Sequence, residues 1–307
     1  MATMKAARIH EWGGSENVHV DEVPVPEPKS GEVLIHVHAS SVNPVDWKAQ
    51  LGYMHQFLQL PFTFGWDASG EVAALGDGTD SSGLKVGDAV YAKSRGGAFA
   101  QYLALSTDTV ALKPQALSHD QAATIPTAAL TAYQALFDHG GLQAGQKVLI
   151  QGASGGVGHF AVQLARWKGA FVIGTGSAAN ESFVRSLGAD QYIDYHTTKF
   201  EDVVQDADLV FDTVGGDTLE RSFAAAKPGG IVVTIAGRPA ADASQSVRSA
   251  SFSATGTHAQ LDQMTQLIDQ GFVKPTISVV YSLDQAREAL DKNREGHTRG
   301  KIVLEIP

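Results

Sequence analysis

The chain has no cysteine among its 307 residues, which excludes disulfides and every thiolate metal site. It also lacks any apolar run close to the roughly 20 residues needed to cross a bilayer, so no membrane partner is expected. The opening Met1-Ala2-Thr3-Met4-Lys5 carries no apolar h-region, so a secretory signal is not expected and the cytoplasm is the expected location. Basic clusters are missing as well. Lys and Arg number 23 against 33 Asp and Glu, a formal net charge of -10, and the densest basic stretch, Lys292 to Lys301, is broken by Glu295. Phosphate backbones demand clustered cations, so nucleic acid is not an expected partner, and the acidity reads as plain solubility. Repeats, linkers and low-complexity tracts are absent too.

What is present is an ordinary globular balance, 43% apolar and 18% charged residues, in a chain long enough for two domains. The pattern divides it into 1–118, 119–255 and 256–307. Up to about Lys113 the segments are short, β-like and cut by turns. Glu32-Val33-Leu34-Ile35-His36-Val37-His38 puts Val33, Ile35 and Val37 on one face of a strand. The tripeptide Gly70-Glu71-Val72 and the run Asp88 to Ala92 read as further strands, and this part is expected to be all-β with few helices. After Pro114 the texture changes. Ala122 to Phe137 reads as helix, and then strands at 148–150, 171–173, 191–193, 209–211 and 231–233 alternate with helical stretches. Val157, Phe160, Ala161, Leu164 and Ala165 follow the spacing of a buried helix face. Short apolar strands alternating with amphipathic helices predict a parallel sheet covered on both faces. The last stretch predicts one helix, 261–270, and two strands, 277–280 and 302–304.

One motif carries chemistry. Val148-Leu149-Ile150-Gln151-Gly152-Ala153-Ser154-Gly155-Gly156-Val157-Gly158 matches A-x-G-x-x-G, with Ala153 where a dinucleotide fingerprint usually has its first Gly. Gly155 lets the backbone approach a pyrophosphate, and Gly158 lets helix pack on strand. The helix N-terminus then offers N–H groups and a positive dipole end. A strand precedes the motif, a helix follows, and a second strand arrives on schedule, the context that dinucleotide binding requires. The same residues satisfy G-x-S-x-G, a hydrolase nucleophile elbow around Ser154. That reading needs an acid and a His after later strands. Asp212 is available as the acid, but His258 lies beyond the alternating region and Gly158 has no role.

The second strand ends in Gly174-Thr175-Gly176-Ser177, with no acid until Glu181. An NAD site places a carboxylate there for the ribose hydroxyls. Its absence favours NADP(H), with Ser177 and Asn180 as donors to a ribose phosphate and Arg185 as a further helper.

The chain resembles the medium-chain dehydrogenase/reductase superfamily, in its zinc-independent quinone oxidoreductase and alkenal reductase branch. The resemblance runs nearly end to end. It rests on Ser41-Val42-Asn43-Pro44-Val45-Asp46-Trp47-Lys48, on Phe64 to Val72, on Val86 to Val90, on Ile125 to Ala132, on the Gly-rich turn, on Ser186 to Asp190 and on Thr298 to Leu304. It implies an α/β architecture: a GroES-like β-rich catalytic domain from both chain ends and an inserted Rossmann domain with a doubly wound parallel sheet, with the site in the cleft. It also implies a homodimer. By resemblance, Asn43, Val45 and Asp46 lie near the nicotinamide and Thr131 at the cofactor. Tyr195 falls beside the adenosine ribose. Val214, Ala236 and Gly237 line the nicotinamide half, Phe252, Ser253 and Ala254 contact the carboxamide end, and Lys301 is a further candidate. Val214 and Phe252 are apolar and read equally as core.

The departures bear on metal. Zinc alcohol dehydrogenases of the superfamily carry Cys in the first motif and Gly-His-Glu in the second, where this chain has Asn43 and Trp66. A catalytic zinc needs three protein ligands. Of the eleven histidines, His36 and His38 share a strand face, but the sequence offers no third ligand, so no metal is expected. Without a Lewis acid, alcohol oxidation loses its means of forming an alkoxide. Trp47, Tyr53 and Trp66 are candidates for a flat apolar slot that takes a quinone or enone, or for core. Tyr53 is the candidate donor to a substrate oxygen. A dinucleotide-binding module with little turnover and an enoyl-thioester reductase stay open as alternatives.

Overall fold

The computed structural model describes residues 2–240 and 245–307, and these divide into two compact units. Of these, unit 1 takes 2–127, 256–271 and 275–307, and unit 2 takes 128–240, 245–255 and 272–274. In chain order, unit 1 opens with β1 (Thr3–Ile9), β2 (Val18–Pro24), β3 (Glu32–Val42), α1 (Pro44–Gln50), β4 (Phe62–Thr63), β5 (Asp67–Leu75), β6 (Ala89–Lys93), β7 (Tyr102–Ser106), β8 (Val110–Leu112) and α2 (His119–Ala123). The helix α3 (Pro126–Tyr133) leads into unit 2. There follow β9 (Lys147–Ile150), α4 (Gly158–Trp167), β10 (Phe171–Gly176), α5 (Glu181–Ser186), β11 (Gln191–Asp194), α6 (Phe200–Val203), β12 (Ala207–Asp212), α7 (Asp217–Ala225), β13 (Ala226–Thr234) and β14 (Arg248–Ser251). The chain returns to unit 1 with α8 (His258–Asp269), β15 (Ile277–Ser282), α9 (Ala286–Glu295) and β16 (Lys301–Glu305).

Unit 1 holds a three-stranded sheet, β2-β1-β4, and a seven-stranded sheet whose path is β15-β16-β3-β5-β6-β8, with β7 also on β3. The long β3 is its spine. Residues 32–36 pair with β7 and residues 39–42 with β16, while β5 runs along the other edge. The alternation read in Val33, Ile35 and Val37 is realised, since all three are fully buried. They join Phe62, Phe64, Trp66 and Phe99, whose rings meet at 5.5–6.3 Å. Each such ring contributes about 2–3 kcal/mol through burial. This is the GroES-like domain.

It carries more helix than its strand-rich sequence suggests. Asn43 and Pro44 start α1 by the usual rule of Pro in the first turn. The strongly polar α9 buries only Ala286, Ala289 and Leu290, too thin an apolar stripe to read from spacing. The division between units falls after Thr127 rather than after Ser118, because α2 packs on β3 and β5 of unit 1. The helix read over 122–137 is broken before Pro126 and ends in a π-turn, Gln134–His139.

Unit 2 is a six-stranded sheet in the order β11-β10-β9-β12-β13-β14, every pairing parallel. Counted from β9 as strand 1 this is 3-2-1-4-5-6, the Rossmann order. Ligands of such sheets bind where the order reverses, at the carboxyl ends of the first and fourth strands, here β9 and β12. Val148, Leu149, Ile150, Val210 and Phe211 are fully buried, as two-sided coverage demands. No helix among the described residues is long and apolar enough to cross a membrane.

Candidate active site

In unit 2 the Gly-rich turn leaves β9 at the switch point. It is fastened to β10, since Ala153 N donates to Thr175 O at 2.9 Å, Gly152 N to Thr175 Oγ1 at 3.2 Å, and Thr175 Oγ1 to Gln151 Oε1 at 2.8 Å. It is fastened to the loop after β12 through Thr213 Oγ1, which donates to Gln151 O at 2.7 Å. A Cβ on Gly158 would lie 2.1 Å from Gly152 O, so only glycine closes this turn. A Cβ on Gly155 would find its nearest atom 3.3 Å away, so there the missing side chain leaves room in front of the backbone. Ala153 replaces the usual first glycine without strain, because its methyl is fully buried against Gly174. The amides of Gly156 and Val157 have no protein acceptor among the described residues. Buried Gln151 Nε2 is likewise without one. Free N–H groups at a helix N-terminus, beside an open glycine, fit a pyrophosphate.

The end of β10, where a ribose is expected, is organised by Ser177. Tyr192 Oη donates to Ser177 O at 2.6 Å, and Asn180 Nδ2 to Ser177 Oγ at 3.3 Å. Arg185 does not join them. Its guanidinium is held by Glu181 Oε1 at 2.8 Å and Asp190 O at 3.2 Å, which removes it as the helper expected there. Tyr195 is exposed, with its ring 4.3 Å from that of His196.

The loops after β12 and β13 share one buried carboxylate. Asp212 accepts from Val214 N, Gly215 N and Thr234 Oγ1, and Thr234 Oγ1 accepts from Ala236 N. Asp212 is therefore spent on holding loops, which deprives the Ser154 hydrolase reading of its acid. Val214 is 54% exposed, so it is a loop residue and not core. Gly237, on the loop after β13, is exposed as well. Phe252 stacks on His139 at 4.2 Å, and Ser253 and Ala254 follow it out of the edge strand β14. Thr131 is buried within α3.

Unit 1 contributes a buried ionic network. Asp67, at the start of β5, accepts from Ser41 Oγ at 2.6 Å, Asn43 Nδ2 at 2.7 Å and Thr127 N at 2.7 Å. Lys301 Nζ donates to Asn43 Oδ1 at 2.5 Å and Val42 O at 3.0 Å, and lies 4.0 Å from Asp67 Oδ2. Asp46 accepts from Asn43 N at 2.8 Å and Gly65 N at 2.9 Å. Burial raises the Asp46 carboxyl to about 7, against the pull of those amides. Burial also lowers the Lys301 ammonium, opposed by Asp67 and Asp46, and lowers Lys93, whose Nζ reaches Thr127 Oγ1 at 3.4 Å. Asn43, Asp46 and Lys301 were expected at the site, but Asp67, Ser41, Lys93 and Thr127 were not. An Asp inside the buried motif Phe64 to Val72 was the available signal, since buried carboxylates are almost always paired.

The aromatics separate. Trp66 is core, with its ring 5.5 Å from Phe62, and cannot form a slot. Trp47 is half-buried beside Val45 on α1. Tyr53 follows that helix, 70% exposed, with its ring 6.4 Å from Trp47.

The histidines correct one expectation. A third candidate ligand exists for the β3 pair: His119 and Glu71 converge on His38, with ligand atoms within 4.8 Å of one another. His36 is not part of that group and stacks on Tyr102 at 4.9 Å.

Comparison with known proteins identifies the family. The family model described as alcohol dehydrogenase GroES-like domain matches residues 29–115, and that described as zinc-binding dehydrogenase matches 187–304. A chloroplast envelope quinone oxidoreductase homolog of Arabidopsis thaliana is 35% identical, over 98% of each chain. A 2-methylene-furan-3-one reductase of Solanum lycopersicum is 33% identical, over 98% of this chain and 79% of its own. The solved quinone oxidoreductase of Coxiella burnetii superposes with a TM-score of 0.92 at 33% identity, over the whole of both chains.

Proposed function

The chain belongs to the quinone oxidoreductase branch of the medium-chain dehydrogenase/reductase superfamily, and on that premise we propose that it is an NADPH-dependent reductase of quinones or α,β-unsaturated carbonyls that works without zinc. The observation that carries this reading is Asn43. It stands where zinc-dependent relatives have a cysteine ligand, and its amide is spent on Asp67, Ser41 O and Lys301. Trp66, at the histidine position, is packed in the core. Neither residue offers an ion a ligand atom.

When bound, NADPH supplies the hydride. The chain's own part is to hold, orient and keep dry. Ala153, Ser154, Gly155, Gly156, Val157 and Gly158 cradle the pyrophosphate, with Thr175 holding the turn in shape. Ser177 and Asn180 donate to the ribose phosphate, with Tyr195 alongside. Val214, Ala236, Gly237, Phe252, Ser253 and Ala254 serve the nicotinamide half from unit 2, together with Thr131. Asn43, Val45, Asp46 and Lys301 serve it from unit 1. An acceptor suited to these residues carries its own polarisation, as a quinone or the β-carbon of an enone does. The developing oxyanion then takes a hydrogen bond from Tyr53. The assembly is a homodimer, a reading supported by the open edge strand β14.

The test is NADPH consumption by the purified chain against quinones, alkenals, enoyl thioesters and, in reverse, simple alcohols. Turnover with quinones or alkenals that survives chelation is expected. Tyr53→Phe should lower kcat and leave KM alone. Robust ethanol or butanol oxidation with no quinone or enone reduction would overturn the reading. NADPH binding with no turnover against any acceptor would reassign the chain as a binding module.

A further inference from the structure

The cluster of His38, Glu71 and His119 has no part in the reductase chemistry, yet it is built. It joins three elements of unit 1: β3, β5 and the first residue of α2. In the β3–β5 ladder His36 stands opposite Glu71, and the register shifts between Val37 and Ala39. His38 is therefore the extra residue of a bulge, a device that re-aims a side chain. Here it brings the His38 ring to 4.8 Å from that of His119.

The tautomer of His119 follows from its neighbours. Ser69 Oγ donates its single hydrogen to Val90 O at 3.0 Å. The 2.8 Å contact between Ser69 Oγ and His119 Nδ1 then has the imidazole as donor. A neutral ring with its proton on Nδ1 leaves Nε2 as a bare lone pair. Metal-ligating histidines are oriented in this way, by a hydrogen bond through the other nitrogen. The backbone beneath is fixed too. Ser118 and Gln121 cap α2 reciprocally, Ser118 Oγ accepting from Gln121 N at 3.3 Å and Gln121 Oε1 from Ser118 N at 3.1 Å.

We propose that His38, Glu71 and His119 bind one divalent ion of the zinc class and so clip α2 to β3 and β5. Two imidazoles and a carboxylate suit zinc, and equally cobalt or nickel, whereas calcium and magnesium prefer all-oxygen shells. Around a tetrahedral zinc the ligand atoms stand about 3.4 Å apart. The present spread, within 4.8 Å, closes by rotation of Glu71, which is exposed and free to move. Lys113 lies near His119 but is turned to the carbonyls of Pro114 and Leu117. The site is separate from the positions of Asn43 and Trp66, and it stands whether or not the reductase reading does.

The experiment is calorimetric titration of the metal-stripped full chain with zinc chloride, with cobalt chloride as a visible reporter of ligand geometry. One equivalent is expected, with the tetrahedral cobalt spectrum. His38→Ala and His119→Ala should abolish that equivalent, and Glu71→Gln should weaken it at least tenfold. Glu71 is exposed, so Glu71→Gln should keep its thermal midpoint, which separates a lost ligand from a lost fold. His10→Ala is the control, because His10 and Asp21 form a second imidazole–carboxylate pair at 2.7 Å, and it should retain the equivalent. No binding to the unmodified chain would overturn the proposal, as would binding unchanged in His38→Ala and His119→Ala.

Discussion

Lys301 and Asn43, 258 positions apart in sequence, meet in a 2.5 Å hydrogen bond inside unit 1. Lys301 is 4% exposed, and it stands 4.0 Å from the carboxylate of fully buried Asp67. Breaking a buried ion pair from one side costs about 3–5 kcal/mol. Lys301→Met should therefore lower stability by about 3 kcal/mol in urea unfolding followed by tertiary fluorescence. Asn43→Ala should cost about 2 kcal/mol, and the double variant less than the sum of the two, because they share one contact. Additive losses would mean that the two side chains are not coupled.

Asp46 gives unit 1 a pH dependence of definite sign. Its folded pKa is raised to about 7 by burial, above the ordinary carboxyl value. The folded state thus binds a proton that the unfolded state releases, and stability falls as pH rises from about 4 to about 7. The urea midpoint of the unmodified chain should decline relative to that of Asp46→Asn over this window. A constant difference between the two proteins would show that Asp46 is charged throughout.

The glycines of the turn should fail in different ways. Gly158→Ala drives a methyl into Gly152 O at 2.1 Å, so both the thermal midpoint and NADPH affinity should drop. Gly155→Ala meets the same oxygen at 3.3 Å, a tight contact that a shift of a few tenths of an ångström relieves, but stands where a pyrophosphate would lie. It should keep the midpoint within about 2 °C, under 0.5 kcal/mol, and lose NADPH affinity at least tenfold. Equal behaviour of the two variants in both measurements would contradict the cradle.

Ser177→Asp places a carboxylate at the end of β10, where an NAD site carries one. NADPH should bind the unmodified chain more tightly than NADH, and the order should reverse in the variant. Equal dissociation constants in the unmodified chain would sink this reading of the loop.

The candidate residues of the two units were unequally legible in the sequence. In unit 2 the strand, Gly-rich turn and helix are contiguous, so spacing alone locates Gly155 and Gly158. The parallel strands show as apolar runs because both of their faces are covered. In unit 1 the partners of Asp67 come from β3, from Thr127 and from Lys301 near the chain's end, and no local pattern joins them. His38, Glu71 and His119 were invisible for the same reason, since a strand's period pairs His38 with His36 and says nothing of α2. Arg185 failed in a second way. Its sequence distance from Ser177 suited a phosphate partner, but Glu181, one helical turn back, claims it first.

The position of β16 sets an order of events in synthesis. It lies between β15 and β3, so the central sheet of unit 1 is incomplete until β16 itself has left the ribosome. Unit 2 has nearly all of its sequence by Thr255 and, as a compact unit, is positioned to fold first. Until Lys301 arrives, the carboxylates of Asp67 and Asp46 wait without their buried cation, and one edge of β3 stands unpaired. A chain stalled or clipped before β16 would therefore present a finished nucleotide-binding half beside an adhesive, half-made one. Such a product should be found in aggregates, with its Rossmann unit still folded.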